Sequence, residues 1–328
     1  MKKRIFVLIA ILCLGMSLLT ACETKTPQSA ISYRFADREE AAELLLAERD
    51  YYENLNQNDL NYRLQKPDAT LEELEVYIRE QTLDFTEEEK ALIDAEIAWF
   101  LECCEARGYH LPPMDGIVFA KTTMREECDA GAYTHGTKVF LGEIYLSYGV
   151  SDDPAMREAF RYVLCHELFH CLTRNNPEFR RDMYAFLGFT VVEEDFVFSE
   201  EIRNSIISNP DVEHHNSYAA FEINGEMINC VVVFTSSPFM QPGDSFFTDM
   251  KTGLVPIDDL GVLYDSGEAA NFWDVFGRNT SYVIDPEETL ADNFAFTFVY
   301  GPDAEYQTPE LIQAIDAYLK DPSASGSR

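Results

Sequence analysis

The strongest constraint in this chain is a five-residue run, His166-Glu167-Leu168-Phe169-His170. At 3.6 residues per turn, histidines four apart share one helix face about one turn apart, so both imidazoles can reach a single ion. Neutral imidazole suits Zn2+, and Glu167 stands beside the first histidine as a general base for an attacking water. The run therefore needs a helix. Ser151-Asp152-Asp153-Pro154 supplies an N-cap and a helix-opening proline, and the spacing predicts a helix from Pro154 to about Thr173. Cys165 and Cys171 flank the motif but project about 100° to either side of the adjacent histidines, so they read as small core residues and not as ligands.

Ahead of this region, Met1-Lys2-Lys3-Arg4 precedes an apolar run from Ile5 to Leu19. That is the pattern of a secretory signal, too short for a membrane span. The run ends in Leu19-Thr20-Ala21-Cys22, which resembles the lipobox of bacterial lipoproteins. The resemblance implies removal of residues 1–21, lipidation of Cys22 and a working place on the outer face of a bacterial cell membrane. With 58 acidic residues against 25 Lys and Arg, the net charge is −33, which excludes nucleic acid as a general partner and leaves membrane attachment to the lipid. The 46% hydrophobic content is enough for a sizeable core despite that imbalance. Eight cysteines are present, six of them beyond Cys22; export permits disulfides, but no pairing follows from the spacing.

Local patterns predict an α+β chain. A polar tether over 22–32 leads to a helical N-terminal region over 33–112, in which Thr70 with Glu73 and Thr86 with Glu89 form capping boxes. After Leu111-Pro112-Pro113, the short runs Ile117-Val118-Phe119 and Val139-Phe140-Leu141 begin a small mixed sheet. Asn224-Gly225, between two alternating runs, favours the positive φ angles of a type I′ hairpin. Asp285-Pro286 opens a helix to about Tyr300, and Thr308-Pro309 opens a last one. A catalytic domain is thus expected over 113–320, with a frayed tail over 321–328.

A catalytic zinc takes three protein ligands and keeps one position open. The metzincin pattern is absent, because Thr173 and Asn176 stand where it needs glycine and histidine. Downstream, Glu288-Thr289-Leu290-Ala291-Asp292 places two carboxylates on one face of the helix opened by Asp285-Pro286. Together with the histidine motif this resembles the gluzincin metallopeptidases, over Thr134 to Tyr184 and Ser281 to Phe298. The resemblance implies a zincin-like fold, zinc held by His166, His170 and Glu288, and Asp292 accepting the free N–H of one histidine. It also implies Glu167 as catalytic base, and a peptide or protein substrate added as a strand along His135 to Leu141.

One departure is the spacing. Glu288 lies 118 residues beyond His170, much farther than in the best-known gluzincins, so a large insertion separates the two motifs. Glu193 or Glu194 would keep the shorter spacing, although Val191 to Val197 reads as extended chain. His135, His214, His215, Tyr218 and Tyr282 are candidate donors to a developing oxyanion. The expected activity is zinc-dependent peptide-bond hydrolysis. The alternatives are a zinc-retaining envelope lipoprotein with a binding or assembly role, and a hydrolase of cell-wall amides.

Overall fold

The computed structural model describes residues 31–324. The leader, Cys22 and most of the expected tether lie outside the described residues. The first sheet contains β1 (Ile31–Phe35), β2 (Thr82–Leu83), β3 (Met114–Thr122), β4 (Ala132–His135) and β5 (Lys138–Gly142). Its order is β1-β3-β5-β4, with β2 antiparallel to the end of β3. β3 runs parallel to both β1 and β5, while β4 turns back antiparallel on β5 and forms the edge. From Ile117 onward β3 is buried continuously, as a strand flanked by parallel neighbours requires.

Several expectations differ from the structure. The tether does not reach residue 32, and 33–112 is not wholly helical. Ile31, Tyr33 and Phe35 alternate with more exposed Ser32 and Arg34, and this period of two makes a strand. Nor does residue 112 mark a core boundary: Ile93, Ile97 and Phe100 of the helix Glu87–Arg107 share one core with Leu168, Phe169 and Phe294, and Phe100 stacks on Phe298 at 4.4 Å. The predicted edge strand His135 to Leu141 straddles a two-residue turn. Only His135 belongs to the edge strand, and 138–141 lie inside the sheet. Of the expected tail, Pro322–Ala324 form a 3-10 turn and 325–328 lie outside the described residues.

The second sheet is antiparallel throughout and follows the order β10-β9-β8-β7-β6. Its strands are β6 (Thr190–Val191), β7 (Ser217–Ile223), β8 (Glu226–Thr235), β9 (Lys251–Pro256) and β10 (Tyr264–Asp265). The β7–β8 turn has φ of 55° at Asn224 and 81° at Gly225, the two positive values a type I′ turn requires. Alternation splits β8 between two cores: Cys230 and Val232 face the main one, whereas Val231 and Val233 pack with Phe198 and Ile202. The chain is thus an α+β protein built on two sheets. Among the described residues no helix is long and apolar enough to cross a membrane.

Candidate metal centre

The histidine motif sits in the second half of the helix Pro154–Asn175, whose N-cap Asp153 accepts the Ala155 N–H at 2.9 Å. From Leu164 to Thr173 this helix is buried, because it runs against β3, β4 and the helix Pro286–Val299. The latter helix starts where the proline signal places it, with Asp285 accepting the Glu287 N–H at 2.8 Å. That start puts Glu287 and Glu288 in its first turn and Asp292 one turn later.

The two helices meet through their polar side chains. His166 Nε2 lies 3.0 Å from Glu288 Oε2, and His170 Nε2 lies 4.0 Å from the same oxygen. One ligand atom from each of His166, His170 and Glu288 falls within 4.8 Å of the others, a span one divalent ion can bridge. The opposite ring nitrogens are also held: His166 Nδ1 is 2.9 Å from Asp292 Oδ1, and His170 Nδ1 is 3.1 Å from Glu287 Oε1. Each imidazole therefore turns Nδ1 to a carboxylate and Nε2 to Glu288, the arrangement that fixes a metal-binding tautomer. Tyr162 and Thr280 donate to Asp292 in turn.

The donor set fits a cation. His170 Nε2 is buried with no hydrogen-bond partner, which is costly unless something ligates it. Glu167, Asp211, Glu287, Glu288 and Asp292 are all buried around the two rings, and Arg174 is the guanidinium paired with this group, at 2.9 Å from Glu287 Oε1. So much buried negative charge calls for a positive partner.

Glu167 Oε2 accepts the Thr134 hydroxyl at 2.7 Å, which aims the carboxylate across the edge strand. Burial pushes its pKa up, and the neighbouring His170 and His166 pull it back only in part. Asp211, on the segment after Pro210, accepts the Thr134 backbone N–H at 2.7 Å and lies 3.8 Å from His170 Nε2. Burial, and after it Glu167 and Glu288, raise its pKa well above the usual carboxylate range. A cavity of about 420 Å3 opens onto His166, Glu167 and Glu288 and is walled by Phe234, Phe246 and Tyr282.

The structure brings Glu167, His166, His170, Glu288 and Asp292 together. Glu193 and Glu194 are exposed and belong to no metal-ligand group among the described residues. Of the candidate oxyanion donors, Tyr282 lines the cleft, with its hydroxyl 3.3 Å from Asn209 Nδ2. His135 points away from it into the rings of Tyr51, Tyr52 and Tyr133, where burial lowers its pKa to about 3. His214 pairs with Asp195 at 3.1 Å, His215 packs edge-on against Phe198, and Tyr218 lies in β7. The cysteines at 165 and 171 are buried and unbridged, as core residues.

Sequence reasoning missed Glu287 and Asp211. The first reads as an ordinary acid in a helix's first turn. The second carries no periodic signal. Comparison with protein-family models, curated proteins and solved structures finds no match for this chain.

Proposed function

We propose that this protein is a gluzincin-type zinc peptidase with a zincin-like catalytic fold, tethered by lipid on Cys22 to the outer face of a bacterial membrane. The observation that carries the reading is the convergence of two imidazoles from one helix and a carboxylate from another, with a second carboxylate, Glu167, beside them and outside that trio. Zinc held by His166, His170 and Glu288 would supply Lewis-acid polarisation of the scissile carbonyl and acidify water.

The chain's own residues supply the rest. Asp292 and Glu287 orient the rings. Glu167, steadied by Thr134, takes a proton from the attacking water and passes it to the leaving amine; burial raises its proton affinity, which favours its role as the proton's temporary holder. Tyr282 is the hydroxyl best placed to donate to the developing oxyanion. A purely structural zinc would need neither a base nor an open cleft, and this disfavours a binding or assembly role.

The test is metal analysis joined to proteomic cleavage-site profiling of wild type and Glu167→Gln. Both should hold about one zinc, and the variant should lose at least roughly a hundredfold in turnover. Undiminished turnover would remove Glu167 as base. Release of amides from cell-wall fragments but not from peptides would shift the substrate to the wall.

A further inference from the structure

We infer that the substrates are peptides with a free N-terminus, shortened by one residue at a time, and that Asp211 receives the α-ammonium. This rests on the hydrolase reading above and narrows it.

The inference starts from the edge strand. In β4, Tyr133 and His135 turn their backbone groups toward β5, so Ala132, Thr134 and Gly136 beyond the strand end present theirs outward. A peptide adding to this edge would pair with those outward groups. Two of the three are already taken: Thr134 N–H is bonded to Asp211 Oδ1 at 2.7 Å, and Gly136 N–H to Glu213 Oε1 at 2.5 Å. The segment Asp211-Val212-Glu213 thus stands across the groove. Beyond it lies a second cavity, of about 500 Å3, lined by Gly136, Lys138 and Arg174, and Asp211 borders both chambers as their partition.

The partition is fixed in place. Ser208 gives its N–H and hydroxyl to Asp59, at 2.9 and 3.0 Å, and its carbonyl accepts Arg63 Nη2 at 2.9 Å. Asp59 and Arg63, paired at 3.0 Å on the helix Gln57–Leu64, are fully buried. At the far end Arg174 Nη2 donates to the Asp211 carbonyl at 2.7 Å. A segment anchored at both ends by buried charge-assisted bonds is a wall.

Which end of a peptide meets this wall follows from strand direction. Antiparallel addition, the commoner pairing, runs the peptide's N-terminus toward Gly136 and its C-terminus toward Ala132. Its N-terminal side is therefore the blocked one. Asp211 Oδ1 stands 3.8 Å from His170 Nε2, and ligand atoms of Asp211, Glu167 and His170 all lie within 4.8 Å of one another, so no more than about one residue fits between the wall and the reacting carbonyl. The wall's group there is a carboxylate only 6% exposed, and among the described residues no Lys or Arg pairs with it. An α-ammonium supplies the missing cation. In the reaction the amide bond after the first residue breaks, water's oxygen joins the carbonyl carbon, and the freed amine takes the proton, giving one amino acid and a shortened peptide.

Matched peptides with free, N-acetylated and C-amidated ends test this on the zinc-loaded protein, with products followed by mass spectrometry. Acetylation should lower kcat/KM about a hundredfold, C-amidation should change it less than about threefold, and residues should be released singly from the N-terminus. Fluorescence anisotropy on the Glu167→Gln protein gives a readout apart from turnover: the free-ended peptide should bind at least about tenfold tighter than its acetylated twin. Asp211→Asn should shrink both gaps. Glu213→Ala, at a partly exposed side chain, should raise cleavage of acetylated peptides by opening the partition. Equal cleavage of free and acetylated peptides, internal cuts or C-terminal release would overturn the inference while leaving the hydrolase standing. Absence of both turnover and peptide binding would overturn the two together.

Discussion

Replacing Glu287 by Gln tests whether the carboxylate behind His170 is part of the metal centre. Its oxygens accept from His170 Nδ1 at 3.1 Å, Thr173 Oγ1 at 2.5 Å, Arg174 Nη1 at 2.9 Å and Tyr184 OH at 2.8 Å. Burial alone would push this carboxyl up, but the bond with His170 and the charges of Arg174, His170 and Arg180 outweigh it and hold the pKa at about 2. At about 1.4 kcal/mol per tenfold change in proton affinity, the fall from 4.5 to about 2 corresponds to roughly 3 kcal/mol favouring the charged form. Gln keeps the shape and one acceptor oxygen, so the loss falls on charge. Zinc affinity, measured by competition with a chromophoric chelator, should weaken about 10- to 100-fold, the usual effect of removing a carboxylate behind a ligating histidine. Urea unfolding of the metal-free protein should show a loss on the order of 3 kcal/mol at pH 7. The pH dependence has a definite sign. The folded-state value lies below the unfolded one, so the stabilisation is fully present above about pH 4.5 and is lost as the pH falls through about 2. The gap between wild type and variant should narrow over that window. Zinc affinity within twofold of wild type, with an unchanged urea midpoint, would refute the role given to Glu287.

Two further outcomes follow from the same packing. Glu288→Ala should release zinc on dialysis against a weak chelator, whereas Glu193→Ala and Glu194→Ala, at exposed positions, should retain it; equal retention in all three would remove Glu288 as a ligand. Arg63→Met leaves Asp59 and Glu127 buried without their guanidinium, and should cost about 3–5 kcal/mol in urea unfolding. A loss below about 1 kcal/mol would show that the pair does not anchor the cleft wall.

The parts of this site legible in the sequence are those fixed by local geometry. Helical periodicity alone puts His166 and His170 on one face, and a proline with an aspartate cap sets where Glu288 and Asp292 fall on theirs. The rest depends on what packs against what. Glu287 looks like any acid favoured at a helix N-terminus until His170 is found beside it. β1 carries its alternation in five residues, but its partner in the parallel pairing starts at Met114, and no local turn announces a pairing of that range. His135 alternates with Thr134 along β4, so the residue that sequence reasoning singled out points into the core while its neighbour steadies the base.

The long separation between the two motifs acquires a structural meaning from the same observations. The residues between His170 and Glu288 build the whole second sheet and the segment Ser208 to Glu213 that crosses the groove. The helices carrying the motifs pack on each other regardless of the chain between them, because Leu168, Phe169, Phe294 and Phe298 belong to one core. Chain added at this point therefore leaves the candidate ligands His166, His170 and Glu288 in register and changes what surrounds them. Asp211 and the partition come from the chain between the two motifs, and the latch that holds them, Asp59 and Arg63, comes from the N-terminal helices. On the function proposed above, metal chemistry and substrate choice would thus be carried largely by different stretches of chain, and a change between the two motifs would alter which peptides enter while leaving His166, His170 and Glu288 in place.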